Sequence, residues 1–491
     1  MAKKDSDSQT EFDARIRMTS METFHLHSSS GPWPNCVTAR VRFRGPIDVA
    51  VARQAWLHCV ARQRHAVWPI ESLNGWPKWS TGDAEERLGE LAEASFHDVE
   101  FDRLPDREID LELPFMNDRG LPKVEATDRA GFGLWCVRCK SNDDVTLIFA
   151  ADHALADGAA AITFIRDWML VYHNLVAENE IDRGLVKLDW QRWKSRSHLG
   201  LFRWSFLKFL PCQAIGLFGA TKFIFRKFST IEAADSTVST SETRSPGIIG
   251  SDVSPQLLAE LNDRADRLGV STNSLLMTAL FRAMKRVRSS LESGTSTRSF
   301  WSERKWIRLV LPISIRGVAD RKLPCANRAS LVQIERTFEQ VANADAAAQT
   351  IDREVRIIMG FKLDHVFLIA IRMISVVPVA LRFVARNQKS RGTAVFTNLG
   401  EPFRKTRACN FREVGNLEVK DYDLCGPVRC GTPVNFSWST FRKRVGSEMQ
   451  THGRISLHFD RAIVDDRTAD MMQQAFAKEL QDVAQFGGST R

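Results

Sequence analysis

Residues 146–165 read TLIFAADHALADGAAAITFI. Residues 145–151 form an apolar run of strand length, which predicts a buried strand. The run ends at Asp152 and His153. The pattern resumes at Gly158 with helical spacing over GAAAITFIRDWMLVYHNL (158–175). ADHALADG (151–158) therefore falls on a strand-to-helix turn, where side chains are displayed on a rigid base. His153 is a candidate general base there, because an ordinary imidazole, with a pKa of about 6.5, is largely neutral at pH 7 and can accept a proton. Gly158 gives close backbone approach or an unusual φ angle. Plainer readings stand beside this one: His153 as a packed, hydrogen-bonded residue, and Asp157 as a helix cap.

Outward from this turn, strands and helices alternate irregularly. CVTARVRFRG predicts a strand with Val37, Ala39, Val41 and Phe43 on one face. PIDVAVARQAWLHCVARQ predicts a helix with Val49, Ala52, Trp56, Cys59 and Val60 on one stripe. GFGLWCVRCK and DVTLIFAADH read as a hairpin around SNDD. Residues 70–130 read as loops and short pieces. In the second half, Ser254 with Pro255 opens a helix, and WIRLVLPISIRG, TAVFTNLGEP, PVNFSWSTFRKR and RISLHFDRAI read as strands. An apolar helix over 365–385 is interrupted at Pro378. The closing helix aligns Met472, Phe476, Leu480 and Val483.

A chain of 491 residues exceeds one ordinary core, so two domains are expected. We divide it into a flexible tail (1–17), a first domain (18–180), a linker with an apolar, basic arm (181–246) and a second domain (247–491). Hydrophobic content of 44% and charged content of 26% suit a soluble globular protein. The net charge of +9 is moderate for this length and indicates a basic surface, not a nucleic-acid partner. Nine scattered Cys fit a reducing compartment. The polar N-terminus has no apolar signal core, and a cytoplasmic location is expected. The Cys136–Cys139 spacing carries no zinc or redox expectation, since strand positions three apart face opposite ways and no second pair accompanies them. No metal site is expected. The arm at 200–227 is aromatic, apolar and basic, and suits either peripheral contact at the inner membrane or internal packing. RAMKRVR (282–288) and FRKR (441–444) suit phosphates, an acidic carrier face or plain solvation.

HALADG at the end of a mid-chain strand resembles the H-x-x-x-D-G motif of the CoA-dependent acyltransferase superfamily. That superfamily includes chloramphenicol acetyltransferase, BAHD acyltransferases, peptide-synthetase condensation domains, polyketide-associated acyltransferases and wax ester synthases. Other stretches resemble it in the same order: FRGPIDVAVARQAWLHCVARQRHAV, VSPQLLAELNDRADRLGVSTNSLLMTALFRAM, VLPISIRG followed by CANRASL, and FTNLGEP. Asp152 stands where many relatives carry a first His. The D-F-G-W-G motif of the BAHD branch is absent.

The resemblance implies two chloramphenicol-acetyltransferase-like α/β domains with a tunnel between them. It implies His153 as the base that deprotonates an alcohol or amine acceptor attacking a thioester of coenzyme A or a carrier protein. The thioester is a co-substrate, and no cofactor is held permanently. It implies that Asp157 turns away from the His and pairs with Arg316 of the second half, with Gly158 leaving room beside them. Asn398 would shape the crossover segment, and Ser437, Ser439 and Thr440 are oxyanion-donor candidates. A lipid-like acceptor is one expectation. A free-standing amide-forming condensation domain and a non-catalytic binding protein of the same fold stay open as alternatives.

Overall fold

The computed structural model describes residues 15–28, 35–71, 76–82, 86–102, 131–141, 143–197, 207–233, 246–292, 299–301, 305–386, 392–406, 409–428 and 432–485. The 1–17 tail thus lies largely outside the described residues, as do 200–206 of the apolar arm.

The first half carries strands β1 (Arg15–Arg17), β2 (Cys36–Arg44), β3 (Ile70–Glu71), β4 (Lys78–Ser80), β5 (Phe96–Phe101), β6 (Phe132–Cys139) and β7 (Asp144–Asp152). Its helices are α1 (Ser20–Ser28), α2 (Val49–Arg62), α3 (Leu88–Ala94), α4 (Gly158–Val176) and α5 (Trp190–Lys194). Next come α6 (Leu210–Phe225), β8 (Ile231–Ala233), β9 (Pro246–Val253), α7 (Pro255–Leu268) and α8 (Thr272–Glu292). Strands β10 (Ser299–Trp301), β11 (Trp306–Ser314) and β12 (Ala329–Thr337) precede α9 (Ala344–Gly360), α10 (Val366–Ile374) and α11 (Pro378–Arg386). The chain closes with β13 (Ala394–Asn398), β14 (Glu413–Val414), β15 (Leu417–Cys425), β16 (Val434–Val445), β17 (Glu448–Asp460) and α12 (Asp466–Gln485).

Two six-stranded mixed sheets organise the molecule. One has the order β14-β15-β2-β7-β6-β5, the other β12-β11-β13-β16-β17-β9. The face of β2 with Val37, Ala39, Val41 and Phe43 is buried beneath α2 and α4, together with Trp56, Phe149 and Phe164. On the second sheet, α7, α8, α9 and α12 cover a separate core, with Phe396, Phe436 and Phe459 under Met472 and Phe476. A smaller apolar cluster joins α1 to α10 and α11 through Met21, Phe24, Leu368, Ile371 and Leu381. The fold is a two-lobed α/β architecture with a core in each lobe.

Two features differ from the sequence reading. Strands β14 and β15 follow the whole second lobe in sequence yet complete the first sheet, with β15 antiparallel to β2. Residues 247–491, read as the second domain, therefore contribute strands to both sheets. The charged stretch before 199 is also not a bare linker. Trp193 of α5 is buried in the first core, and Arg196 forms a buried ion pair with Glu22 of α1 at 2.6 Å. The aromatic residues anchor this stretch, and the charge that made it read as solvated is neutralised in place.

Candidate active site at the lobe junction

The turn between β7 and α4 lies where the two sheets meet. Asp157 is the N-cap of α4, and its Oδ1 accepts from Ala160 N at 2.8 Å. Its Oδ2 accepts from Arg316 Nη1 at 2.6 Å and from the Arg328 backbone N–H at 2.8 Å. Burial pushes the Asp157 carboxyl upward. The Arg316 charge and these three hydrogen bonds outweigh that, and its pKa lies below the ordinary carboxylate value. Arg316 also donates to the Ala326 carbonyl at 2.5 Å. The helix cap and the pair with Arg316 are thus made by one carboxylate.

Gly158 has its place for a reason of space. A Cβ there would sit 3.0 Å from Leu424 Cδ2 of β15. A side chain at this position would crowd Leu424, which would have to give by a few tenths of an ångström.

His153 follows directly on β7, with its backbone N–H bonded to the Asn35 carbonyl at 2.8 Å. Asn327 Nδ2 donates to the His153 carbonyl at 2.7 Å and stands 3.0 Å from its Nδ1. The His25 ring of α1 stacks on the His153 ring, with centroids 4.0 Å apart and planes 19° apart. His25 is held in a similar way: Asn35 Nδ2 lies 2.8 Å from its Nδ1 and 3.1 Å from its carbonyl. His153 is therefore gripped by the second lobe through Asn327 and by α1 through His25. Asn327 belongs to the CANRASL segment, but nothing in sequence spacing links His25 to His153. Only the stacking reveals it.

His153 lines a cavity of about 350 Å³ between the lobes. Its walls are mostly apolar: Phe24, Ile162, Ile313, Leu331 and Leu424 come from five different elements. Thr397, Asn398 and Asn435 supply polar groups. Asn398 donates to Asn273 Oδ1 at 3.0 Å and accepts from Gly400 N at 2.9 Å, so it does shape the crossover turn. Ser437, Ser439 and Thr440 do not line this cavity. Ser437 and Ser439 share the strand face of Asn435, and both are buried.

A second cavity, of about 500 Å³, adjoins the first and shares Met21 and Ala329 with it. Asn327 lines this second space, as do Arg17, Lys194, Arg196, Arg328 and Arg372. None of its lining residues is acidic. His65, from the stretch matching the family's N-terminal element, is not part of either cavity. It is buried among Trp68, Phe132, Trp190 and Trp193.

This architecture is the fold of condensation domains and of acyltransferases in the CoA-dependent superfamily. The first condensation domain of the calcium-dependent antibiotic synthetase matches with a TM-score of 0.66 at 12% identity, covering 97% of both chains. TRI3 trichothecene 15-O-acetyltransferase from Fusarium sporotrichioides matches at 0.62 and 12% identity, covering 96% of this chain and 95% of its own. The starter condensation domain of rhizomide synthetase, solved with C8-CoA, gives the same values. No protein-family model matches the sequence, and no curated protein matches it.

Proposed function

We propose that the chain is an acyltransferase that moves an acyl group from a coenzyme A or carrier-protein thioester to an alcohol or amine. The observation that carries this reading is His153, held from both lobes at an apolar cavity, with Asp157 directed away from it to Arg316. His153 Nε2 takes the acceptor proton as the acceptor attacks the thioester carbonyl. The tetrahedral intermediate expels the thiolate, and the imidazolium returns the proton to it. No acyl-enzyme forms, because both substrates meet at one base. An accepting Nε2 requires the proton on Nδ1, and Asn327 Nδ2 then serves the His153 carbonyl alone. The apolar walls suit an acyl chain or a lipid-like acceptor.

With Arg196 and Arg328 paired to Glu22 and Asp320, the second cavity still presents Arg17, Lys194 and Arg372, which suit a phosphate-bearing partner and favour coenzyme A or a phosphopantetheine carrier as donor. An amide-forming condensation on carrier-bound substrates is the second reading. Peripheral contact at the inner face of a membrane through 200–227 belongs to the same picture, supported by exposed Ile215 and Phe218 on α6. Among the described residues, no helix is long and apolar enough to cross a membrane.

The test is a donor–acceptor screen, with thiol release and product mass as readouts. Purified His153→Ala should keep the wild-type melting curve and lose turnover by a factor of at least about 10². Full activity in that folded variant removes the base assignment. Release from carrier thioesters but not coenzyme A thioesters selects the condensation reading.

A further inference from the structure

Helix α6 and helix α10 belong to two acid-free sequence segments about 150 residues apart, and they pack together. Residues 199–228 contain no Asp or Glu, and neither do residues 365–386. In the fold, α6 packs on α10 and the turn before it. A Cβ on Gly216 would come within 2.7 Å of Val366 Cγ2. Gln213 Nε2 donates to the Phe361 and Lys362 carbonyls at 3.2 and 2.8 Å.

The outer surface of this assembly is apolar. Ile215 and Phe218 on α6 are 73% and 80% exposed. Val376, Val379 and Phe383, at and after the α10–α11 break, are 74%, 75% and 72% exposed. Large side chains are rarely left in water together at this level, and such a patch marks a docking surface. Its charges are all of one sign: α10 and α11 carry Arg372, Arg382 and Arg386 and no acid. An apolar face with an acid-free, arginine-bearing border is complementary to an anionic lipid surface, where side chains enter the headgroup region and the guanidinium groups meet phosphates. The helices have 16, 9 and 9 residues, so the contact is interfacial.

The same element also borders the site. Leu368, Arg372, Ser375 and Val376, of α10 and the turn after it, line the second cavity. Val376 is both a cavity wall and a member of the exposed patch. We propose that the α6–α10–α11 face docks on an anionic lipid bilayer, and that the basic cavity beside His153 opens at the edge of that contact. A membrane-resident substrate then reaches the base without crossing water. The docking stands on its own; the role of the opening rests on the acyl-transfer reading.

The experiment is co-sedimentation of the full-length protein with vesicles of phosphatidylcholine, with and without phosphatidylglycerol. Wild type should pellet with the anionic vesicles, and less as salt is raised. Val379→Asp combined with Phe383→Asp should weaken that partition at least about tenfold, and so should Phe218→Asp made alone. Thiol release from a soluble short-chain acyl coenzyme A should stay at the wild-type level, since none of the three residues lines either cavity. A wild-type chain that stays in the supernatant, or pelleting unchanged by both sets of substitutions, overturns the proposal. So does a wild-type dimer that the same substitutions dissociate, because the face is then a contact between two copies. A chain that pellets as described but releases no thiol with any donor leaves the docking intact and removes the acyl-transfer reading.

Discussion

His153 and Asp157 are four residues apart yet do separate work. Asp157→Ala removes the partner of a guanidinium, a helix cap and the acceptor of a backbone N–H together. We expect it to destabilise the fold by about 3–5 kcal/mol, read as a shifted denaturation midpoint, with activity lost as a result of unfolding. Asn327→Ala acts differently, since it removes the hydrogen bond that ties the His153 carbonyl to the second lobe and leaves the inter-lobe ion pair intact. It should lower turnover about tenfold or more with little change in melting. Equal melting losses for both variants would remove that distinction. The motif, Asp157 and Arg316 could be read in the sequence because their residue types and order carry the pattern. His25 could not, because an aromatic stack between α1 and a turn some 128 residues later leaves no periodic trace.

At the level of elements, β2, β7, α2 and α4 were legible because one face of each is apolar at the right period. Strands β5, β12 and β15 were not. LEVKDYDLC (417–425) carries charges at 418, 420, 421 and 423, and the adjacent pair Lys420–Asp421 breaks the strand alternation. In the fold those charges are matched from elsewhere. Asp423 accepts from Arg40 of β2 at 2.6 Å and from Arg454 of β17 at 2.7 Å, all three being buried. The carboxylate is a rivet between the two sheets. Burial pushes its pKa up, but Arg454 and Arg40 hold it far below the ordinary carboxylate range. Asp423→Ala leaves two buried guanidinium groups facing each other, and a loss of about 3–5 kcal/mol is expected in urea melts. Removing all three charges together should cost less than removing the carboxylate alone.

For the whole molecule, acid should act first through histidines. Burial, reinforced by the Arg196 charge, pushes His65 down to about 3. Burial also takes His458 to about 4. Both bind a proton more readily in the unfolded chain, so their stabilisation is complete above about pH 6.5 and is lost as pH falls toward those values. At pH 4.5 each has lost roughly 2–3 kcal/mol. Asp167 works the other way. Burial raises it to about 6 against Arg62 and Arg166, so falling pH relieves roughly 2 kcal/mol there. Burial and the Arg382 and Arg386 charges take His27 to about 4 as well, so the histidine losses exceed the Asp167 gain and stability falls between pH 7.5 and 4.5, measurable by denaturant titration. His65→Phe should remove roughly 2–3 kcal/mol of it; an unchanged pH dependence would show that His65 is not a titrating group. The crossing of β15 also sets a timetable. The edge of β2 that β15 covers is made 383 residues before its partner, as the Arg40–Asp423 pair measures. At roughly 5–20 residues per second of synthesis, that edge waits about 20–80 s with its backbone groups unpaired. During translation the first sheet is therefore an open template that any passing strand can extend, and a nascent chain stalled before residue 417 should be held by chaperones or aggregate.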